Sequence, residues 1–347
     1  MAKVLVVATS RYTRGGITSV VKAHESGYQW GKYHCKWIQT HRDGGKVRKL
    51  WYLLTSLVEY LCLLPFYDIV HIHVGVRNSV RRKLIFARIA KLFQKKIIVH
   101  FHPASERHLE DPKYINHFKS LFDLSDLMIV LAPYWMSVIK KTFPDRNYKM
   151  DYLYNPCPIV QRDFSKRENV ILFAGTLIER KGYNRLIQAF SKISAKYPDW
   201  KLVFAGNGAI DKAKELCREF GVSENQVQFL GWVSGPDKIN AFQRASIYCL
   251  PSNGEGFPMG VLDAIAYGIP VVTTPVGGIV DAMTNEKDCL IYDIYDIDQL
   301  ADCLDSLMGS SEKRKQLQED ADKLVDSVFN VKNICSKLDE IYSHLMN

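Results

Sequence analysis

Residues 249–278 carry two acidic residues, Glu255 and Asp263, in a segment whose pattern changes from strand to loop to helix and back to strand. A short apolar run is stopped by Pro251, and Pro258 stands where a helix can begin, because a first-turn residue needs no amide hydrogen. Asp263 then falls about two turns into the helix. The spacing predicts a strand that feeds a helix through a polar loop, with both carboxylates facing the end of the strand.

A segment of this kind suits a sugar nucleotide. Free amides at a helix start, together with the positive end of the helix dipole, favour a diphosphate, and carboxylates accept hydrogen bonds from sugar hydroxyls. Gly254, Gly256 and Gly260 would let the backbone approach a ligand closely. An ordinary strand-loop-helix crossover with solvated acids has the same spacing, so the spacing by itself leaves both interpretations open.

The residues of this segment resemble the signature of glycosyltransferase family 4, whose members are retaining enzymes of the two-Rossmann architecture called GT-B. In that signature two acids are separated by seven residues. Asp263 departs from it, because the family usually has Glu there, one methylene longer; the resemblance implies a ribose contact for this position. The matching residues are Pro251-Ser252, Glu255-Gly256-Phe257-Pro258, Ala264, Gly268-Ile269-Pro270-Val271-Val272 and Gly277-Gly278.

The resemblance implies an α/β chain of the GT-B type, with two Rossmann-like doubly wound domains that face each other across a cleft. The length of 347 residues suits two domains of typical size. The polar residues 160–169 predict a linker. We therefore expect an acceptor-binding domain over 1–160 and a nucleotide-sugar-binding domain over 161–330. Residues 331–347 form an amphipathic helix by their pattern, and the resemblance implies that it crosses back to the first domain.

The chain opens with an apolar strand and a glycine pair, Gly15-Gly16, at the start of a predicted helix. This is the first unit of a doubly wound domain. The pair could cradle a phosphate or form a tight turn, and the pattern leaves both open. The resemblance implies that the two glycines line the donor and acceptor cleft, where Arg11 and Arg14 would add positive charge.

Two histidine pairs lie on later predicted strands. His71 and His73 alternate along one strand and therefore point to one face, which is compatible with a metal pair. No third ligand is evident nearby in the sequence, so we favour simple hydrogen bonding at a strand end. His100 and His102 end the next strand. The resemblance implies that His102 touches the donor sugar, whereas the alternative is a structural histidine.

Residues 170–183 repeat the sequence of strand, glycine turn and helix. Lys181, with Arg180 beside it, precedes the helix start and is placed to meet a diphosphate. The resemblance agrees, since family members carry Lys-Gly at Lys181-Gly182. They also commonly carry Arg where this chain has Thr176, which is a second departure from the family pattern.

Gly206-Asn207-Gly208 ends another predicted strand. The pattern hints at a nicotinamide site, but the third glycine of the dinucleotide fingerprint is missing, which argues against a dehydrogenase. The resemblance implies that this segment borders the nucleotide and that the turn ending at Val233 meets the base. Asp296-Ile297-Asp298 has the appearance of a metal-binding acid pair, but its helical context predicts a helix start.

The resemblance gives roles to two sets of residues. The catalytic set is His102, Lys181 and Glu255, with Glu255 holding sugar hydroxyls and the cations offsetting charge on the departing diphosphate. No metal and no cofactor are implied, because the nucleotide sugar is itself a substrate. The donor-binding set is Gly15, Gly16, Arg180, Lys181, Gly206, Asn207, Val233, Glu255, Gly256, Phe257, Pro258, Met259, Gly260 and Asp263.

Charge is unevenly distributed along the chain. Residues 1–160 contain 25 Lys and Arg against 11 Asp and Glu, whereas residues 161–347 contain 21 against 26. A basic first half predicts an anionic partner such as a membrane surface, a lipid phosphate or nucleic acid. The basic helix predicted over 76–96 fits anionic lipid headgroups or a solvated face. The apolar stretch 50–66 is interrupted by Glu59, too early for a span, and is expected to pack on the sheet or to act as an amphipathic anchor.

The resemblance implies a retaining glycosyltransferase that moves a sugar from a nucleoside-diphosphate sugar, with UDP favoured over GDP, to an acceptor. The expected acceptor is a lipid-linked oligosaccharide of surface polysaccharide biosynthesis, either capsule or lipopolysaccharide. A sugar-nucleotide epimerase or a phosphorylase on the same fold is the alternative. A nucleic-acid-binding protein is disfavoured, because the second half is acidic and no recognition motif is present.

Eight cysteines are scattered along the chain without a Cys-x-x-Cys pair. No signal peptide precedes the first strand. We therefore expect a reducing, cytoplasmic location, with peripheral binding to the inner face of the cytoplasmic membrane through the basic first half.

Overall fold

The computed structural model describes residues 2–346, which divide into two compact units. Unit 1 consists of residues 2–156 together with 331–346, and unit 2 consists of residues 157–330. Each unit is built on one six-stranded parallel sheet with helices packed around it. The predicted α/β fold with two Rossmann-like domains is confirmed. The division falls after Pro156, a few residues before the boundary expected from the polar linker.

The sheet of unit 1 has the strand order β2-β1-β3-β4-β5-β6. Its central strands are buried on both faces, which is why they read as nearly continuous apolar runs. The strand order reverses between β1 and β3, and ligands of doubly wound sheets bind outside the carboxyl ends of the strands at such a point. The strands are β1 (Val4–Ala8), β2 (Lys36–Gln39), β3 (Ile69–Val74), β4 (Lys96–Phe101), β5 (Leu127–Val130) and β6 (Met150–Tyr152).

Seven helices connect the strands of unit 1. The first of them begins at Gly16, directly after the glycine predicted to start it. The helices are α1 (Gly16–Glu25), α2 (Tyr28–Lys32), α3 (Lys46–Leu63), α4 (Asn78–Leu92), α5 (Arg107–Glu110), α6 (Ile115–Asp123) and α7 (Pro133–Thr142).

The sheet of unit 2 has the order β12-β11-β10-β7-β8-β9. Counted from the first strand of the unit, this is the 3-2-1-4-5-6 order of dinucleotide-binding domains, and the reversal lies between β7 and β10. The carboxyl ends of these two strands therefore mark the expected ligand crevice of the unit. The strands are β7 (Val170–Ala174), β8 (Lys201–Ala205), β9 (Val227–Gly231), β10 (Ile247–Leu250), β11 (Val271–Thr273) and β12 (Leu290–Ile291).

The helices of unit 2 include one whose start was predicted in detail. The Asp296 side chain accepts a hydrogen bond of 2.8 Å from the amide of Gln299 and caps the helix, which confirms the interpretation of Asp296-Ile297-Asp298 as a helix start. The helices are α8 (Tyr183–Ile193), α9 (Ile210–Glu219), α10 (Pro236–Arg244), α11 (Met259–Ala266), α12 (Ile279–Ala282), α13 (Ile297–Met308) and α14 (Ser311–Leu324).

The last helix, α15 (Val331–Met346), belongs to unit 1 although it follows unit 2 in the sequence. Its apolar stripe joins the core cluster that contains Val4, Ile69 and Ile98 of the sheet. The Tyr342 hydroxyl also hydrogen-bonds to the Nδ1 atom of His71 at 2.7 Å. The stripe is formed by Ile334, Leu338, Ile341, Tyr342 and Leu345.

Helix α3 differs from the expectation that it packs on the sheet. Only Ser56 and Tyr60 of its residues are buried. By length and composition, residues 46–66 could cross a membrane, so the expectation that Glu59 interrupts the stretch too early was also wrong. The helix instead presents an apolar face to the surface, formed by Val47, Leu50, Trp51, Leu54, Val58 and Leu61.

We expected the cations of helix α4 to face solvent or lipid. For Lys83 this expectation was wrong. The side chain of Lys83 is fully buried and donates a hydrogen bond of 2.7 Å to the hydroxyl of Thr40. Burial lowers the pKa of the Lys83 amine well below its usual value and also lowers the pKa of Arg82. The helical period turns Lys83 toward the sheet side of the helix, whereas Arg82 is only partly buried.

We predict that Lys83→Met increases the free energy of unfolding by about 1 kcal/mol or more at neutral pH, because the folded state no longer holds a buried amine. Thr40 keeps its hydrogen bond to the carbonyl of Ala8. Because the folded pKa of Lys83 is lowered, wild-type stability rises with pH between that pKa and the unfolded value of about 10.4. The gain should therefore shrink as the pH approaches 10.

Denaturant unfolding across this pH range measures the effect, with Lys91→Met, an exposed lysine of the same helix, as the matched control. A loss of stability in Lys83→Met that is independent of pH would contradict the interpretation.

Candidate active site

The strand order of unit 2 brings the end of β7 next to the end of β10. The two strands pair in parallel, with Ile171 opposite Ile247 and Leu172 opposite Tyr248. The turn after β7 carries Lys181, and the loop after β10 carries Glu255. Two segments that are far apart in the sequence therefore meet at the point where the strand order reverses.

Glu255 is the centre of the contacts at this point. Its Oε1 atom lies 3.0 Å from the Nζ atom of Lys181 and 3.3 Å from an Nη atom of Arg180. The hydroxyl of Ser252 donates to the same oxygen at 3.0 Å. Glu255 is 8% exposed, so one small part of the side chain reaches the surface of the unit. Two cations thus contact one carboxylate oxygen.

Close backbone packing holds the two segments together. A Cβ atom at Gly182 would lie 1.9 Å from the carbonyl oxygen of Pro251, and one at Gly277 would lie 2.0 Å from the carbonyl oxygen of Glu255. Both glycines also have a positive φ, of 76° and 54°, which residues with a side chain rarely adopt. The Asn253 amide donates to the carbonyl of Arg180 at 2.8 Å. Any side chain at either glycine would push the acidic loop away from its cations.

Helix α11 begins next to this carboxylate. Pro258 precedes its first residue. The Val261 amide donates the first hydrogen bond of the helix, to the carbonyl of Pro258. The amides of Met259 and Gly260 come before it, at the positive end of the helix dipole. Phe257 differs, because its ring packs against Phe329 with 5.5 Å between centroids.

The remaining residues of unit 2 that were expected to bind the donor form a second group. A Cβ atom at Gly206 would lie 1.8 Å from the carbonyl oxygen of Gly175, so the ends of β7 and β8 are in direct backbone contact. The side-chain oxygen of Asn207 accepts a hydrogen bond of 2.9 Å from the amide of Trp232. Asn207 thereby fixes the turn that ends at Val233, and the two segments that were expected to border the nucleotide are neighbours.

Asp263 has a partner that the sequence did not reveal. Its Oδ2 atom lies 2.8 Å from the Nζ atom of Lys238, on the preceding helix α10. Burial raises the pKa of Asp263, and Lys238 opposes that shift. Nothing in the pattern around Lys238 marks it, because the pair depends on how α10 packs beside α11.

Gly15, Gly16 and His102 lie in unit 1. Gly15 caps α1, and a Cβ atom there would meet nothing within 4 Å. His102 follows β4, its Nε2 atom is 2.9 Å from the Nδ1 atom of His73, and burial lowers the pKa of its imidazole to about 3.

The expectation for Arg11 is corrected. Its guanidinium forms a two-pronged ion pair with Glu25 and stacks 4.7 Å from the ring centre of Trp37. Its charge is compensated within unit 1, because α1 brings the acid back toward the turn after β1.

The geometry defines a parallel α/β domain with a cationic pocket at the strand reversal and a helix start beside it. Residues 159–324 match the family model described as "Glycosyl transferases group 1". The match lies within unit 2, and this part of the chain is similar to that family.

Relatives and solved structures agree with this similarity. The chain is 32% identical over 180 residues to an uncharacterized glycosyltransferase of Methanocaldococcus jannaschii, a match that covers 52% of this chain and 46% of that protein. It is 27% identical over 178 residues to the capsular polysaccharide biosynthesis glycosyltransferase CapM of Staphylococcus aureus, covering 50% of this chain and 46% of CapM. The chain thus spans about half the length of these relatives.

The structure of HepE from Anabaena, solved with UDP and glucose, superposes with a TM-score of 0.76 at 17% identity and covers 99% of this chain and 100% of HepE. At this identity the likeness shows the fold alone.

We predict that Lys238→Met lowers the free energy of unfolding at pH 7.5 by about 1 kcal/mol, a value reduced for the 40% exposure of the lysine side chain. Without Lys238 the already raised pKa of Asp263 rises further. When the folded pKa of an acid is raised, the protein becomes less stable as the pH rises from the unfolded pKa of the acid, about 3.9, through its folded pKa. The loss should therefore be present at pH 7.5 and nearly absent at pH 4.

Adding Asp263→Asn to Lys238→Met should restore most of the stability, since no unpaired carboxylate is left. Denaturant unfolding of the two single variants and the double variant gives the coupling. If Lys238→Met lost the same stability at pH 7.5 and at pH 4, the ion pair between Lys238 and Asp263 would not be the cause of the loss.

Proposed function

We propose that this chain is a retaining glycosyltransferase that takes a sugar from a nucleoside-diphosphate sugar and adds it to an acceptor hydroxyl. The observation that carries the proposal is the grouping of Lys181, Arg180 and Glu255 at the strand reversal of a domain similar to the group 1 glycosyl transferases. A carboxylate next to two cations offers both of the recognition chemistries that a nucleotide sugar needs.

In this proposal, Lys181 and Arg180 bind the diphosphate of the donor. Lys181 and Arg180 both contact Glu255, and they bring two positive charges to the place proposed for the anionic group. The start of α11 adds the dipole and the amides of Met259 and Gly260. These groups are in place before a ligand arrives, and such preorganised charge lowers the energy of a transition state in which negative charge grows on the leaving group. We therefore propose that the reaction uses Lys181 and Arg180 in the role that a metal ion has in other transferases.

In this proposal, the carboxylate of Glu255 binds the sugar of the donor. An ionised Glu255 can accept hydrogen bonds from neighbouring sugar hydroxyls, and its contacts with Lys181 and Ser252 hold it in one orientation. In the proposed step, the bond between the anomeric carbon and the diphosphate oxygen breaks, and a bond to the acceptor oxygen forms on the same face. The acceptor proton passes to the departing diphosphate oxygen, so configuration is retained and no enzyme nucleophile is needed.

We propose UDP as the nucleotide of the donor. HepE, with the same fold over almost its whole length, was solved with UDP and glucose. In this chain, the turn held by Asn207 and ending at Val233 offers backbone groups to a base. Thermal unfolding with UDP and with GDP tests this choice, and we expect the larger rise in melting temperature with UDP.

We predict that Glu255→Ala leaves the fold intact but lowers the rate of transfer by about 100-fold or more. UDP binding should be retained or tightened, because the variant removes a negative charge next to the diphosphate site. Calorimetric titration with UDP and a coupled assay of UDP release measure the two effects separately. Glu179→Ala, at an exposed acid that pairs with Lys212, is the matched control. Wild-type transfer in Glu255→Ala would refute the proposed role.

We further propose that the acceptor is a lipid-linked oligosaccharide reached at an anionic membrane surface. The apolar face of α3 provides a surface that suits the acyl region, with Trp51 64% exposed and Val47 84% exposed. Cations lie beside it, because one surface pocket of unit 1 is lined by Leu50, Leu53 and Ile85 together with Lys49, Arg77, Arg81 and Arg82. An apolar face flanked by cations is the pattern of helices that lie in a membrane interface.

A place in surface polysaccharide biosynthesis, such as capsule or lipopolysaccharide, fits this acceptor. CapM, to which part of this chain is similar, is named for capsular polysaccharide biosynthesis. A nucleotide-sugar donor is a cytoplasmic metabolite, so we propose that the chain works on the cytoplasmic face of the membrane.

We predict that the full chain floats with vesicles that contain about 30% anionic lipid and not with neutral vesicles, since interfacial binding adds charge attraction to apolar burial. The variant Leu50→Ser/Leu54→Ser should reduce the bound fraction several-fold. The control is Ile159→Ser, which changes an apolar residue of unit 2 that is more exposed than Leu50 and Leu54. Equal flotation of the face variant and the control would contradict this surface as the membrane contact.

A further inference from the structure

Unit 1 contains a buried cluster of five histidines. The pairing of β3 with β4 places His73 opposite His100, and the alternation of side chains along a strand puts His71 and His102 on the same face. His24 reaches them from α1, with its ring centroid 5.8 Å from that of His73 and 6.1 Å from that of His100. All five are buried, and His71, His73 and His100 are at most 1% exposed.

Some of the ring nitrogens already contact each other. The Nε2 atom of His71 lies 3.3 Å from the Nδ1 atom of His100, and the Nδ1 atom of His73 lies 2.9 Å from the Nε2 atom of His102. One ring nitrogen from each of His71, His73 and His100 lies within 4.8 Å of one from each of the others. The nitrogens therefore converge on one volume inside the unit.

Three ring nitrogens of this cluster have no hydrogen-bond partner among the described residues. They are the Nε2 atoms of His24, His73 and His100, and all three are buried. A buried polar atom without a partner costs free energy, commonly about 1–3 kcal/mol, so such atoms usually meet a water or an ion. Three of them beside one another call for a single ligand that accepts several nitrogen contacts.

We propose that this cluster binds a transition-metal ion of the zinc class through His71, His73 and His100, with the Nε2 atom of His24 as the fourth ligand. Imidazole nitrogen is the donor that Zn²⁺, Cu²⁺ and Ni²⁺ favour. Three atoms within 4.8 Å of one another share a point that is at most about 2.8 Å from each, and Zn²⁺ takes about 2.0–2.1 Å. Shifts of these three rings by less than about 1 Å would bring their nitrogens to zinc distance.

The surroundings of one ligand support metal binding. His71 has the outer contact that metal-bound histidines commonly have, because its Nδ1 atom is 2.7 Å from the Tyr342 hydroxyl. That contact leaves the Nε2 atom of His71 facing the cluster.

The site is closed rather than catalytic. Its ligands are buried, whereas a catalytic metal keeps an open position for substrate. An ion here would join β3, β4 and α1, and through Tyr342 it would also tie down α15, which returns to unit 1 from the far end of the sequence. This proposal is independent of the proposed transferase activity, since none of its readouts uses donor or acceptor.

The test uses the full, tag-free chain after removal of metal with a chelator, titrated with Co²⁺. We expect one equivalent to give the visible absorption of four-coordinate Co²⁺, and Zn²⁺ to bleach it and raise the melting temperature by several degrees. Absence of that absorption would overturn the proposal and leave a buried water as the partner of the orphan nitrogens.

Variants of the cluster residues test where the metal binds. His73→Gln and His100→Gln should each weaken Zn²⁺ binding by about 100-fold, and Tyr342→Phe by about 10-fold through the outer contact. His344→Gln, at an exposed histidine of α15, is the control and should bind as wild type does. Full binding in both cluster variants would overturn the assignment.

If the cluster variants do not fold, anomalous diffraction from wild-type crystals soaked in Zn²⁺ decides the question. A peak among His71, His73 and His100 supports the site, and a peak elsewhere or none overturns it.

Discussion

The ion pair between Lys181 and Glu255 is the contact on which the candidate site depends. It joins the turn after β7 to the loop after β10, at the one place in unit 2 where the strand order reverses. Gly182 and Gly277 let the two backbones approach closely enough for this contact, and Ser252 fixes the carboxylate from a third side. If the pair were broken, the carboxylate that is proposed to hold the sugar would be free to move away from the cations proposed to hold the diphosphate.

The same sheet logic operates in both units but leads to different chemistry. Parallel strands deliver their carboxyl ends to one edge, so polar loops collect there, as at Glu255 in unit 2. In unit 1, polar residues also lie on one face of the sheet, where His71, His73 and His100 alternate with apolar neighbours. A parallel sheet is normally apolar on both faces, so a face of histidines points to a specific role.

Much of the fold follows from local pattern. Apolar runs with glycine turns predicted the strands, Asp296 predicted a helix start, and the amphipathic stripe from Ile334 to Leu345 predicted the last helix. Helix α3 was harder, because an apolar helix packs on a sheet or faces a surface with the same composition. Only the sheet geometry decides between them, and here it left most of α3 exposed.

The sequence by itself determined the two-domain α/β class and brought attention to Glu255, Lys181 and His102, because spacing, turn residues and family resemblance are carried by neighbouring positions. Only the tertiary structure decided which side chains meet. It paired Asp263 with Lys238, buried Lys83, compensated Arg11 with Glu25 and gathered five histidines from three segments. The physical reason is that ion pairs, burial and metal-ligand geometry are set by distances of a few ångströms across packed elements, and those distances arise only when the sheets and helices come together.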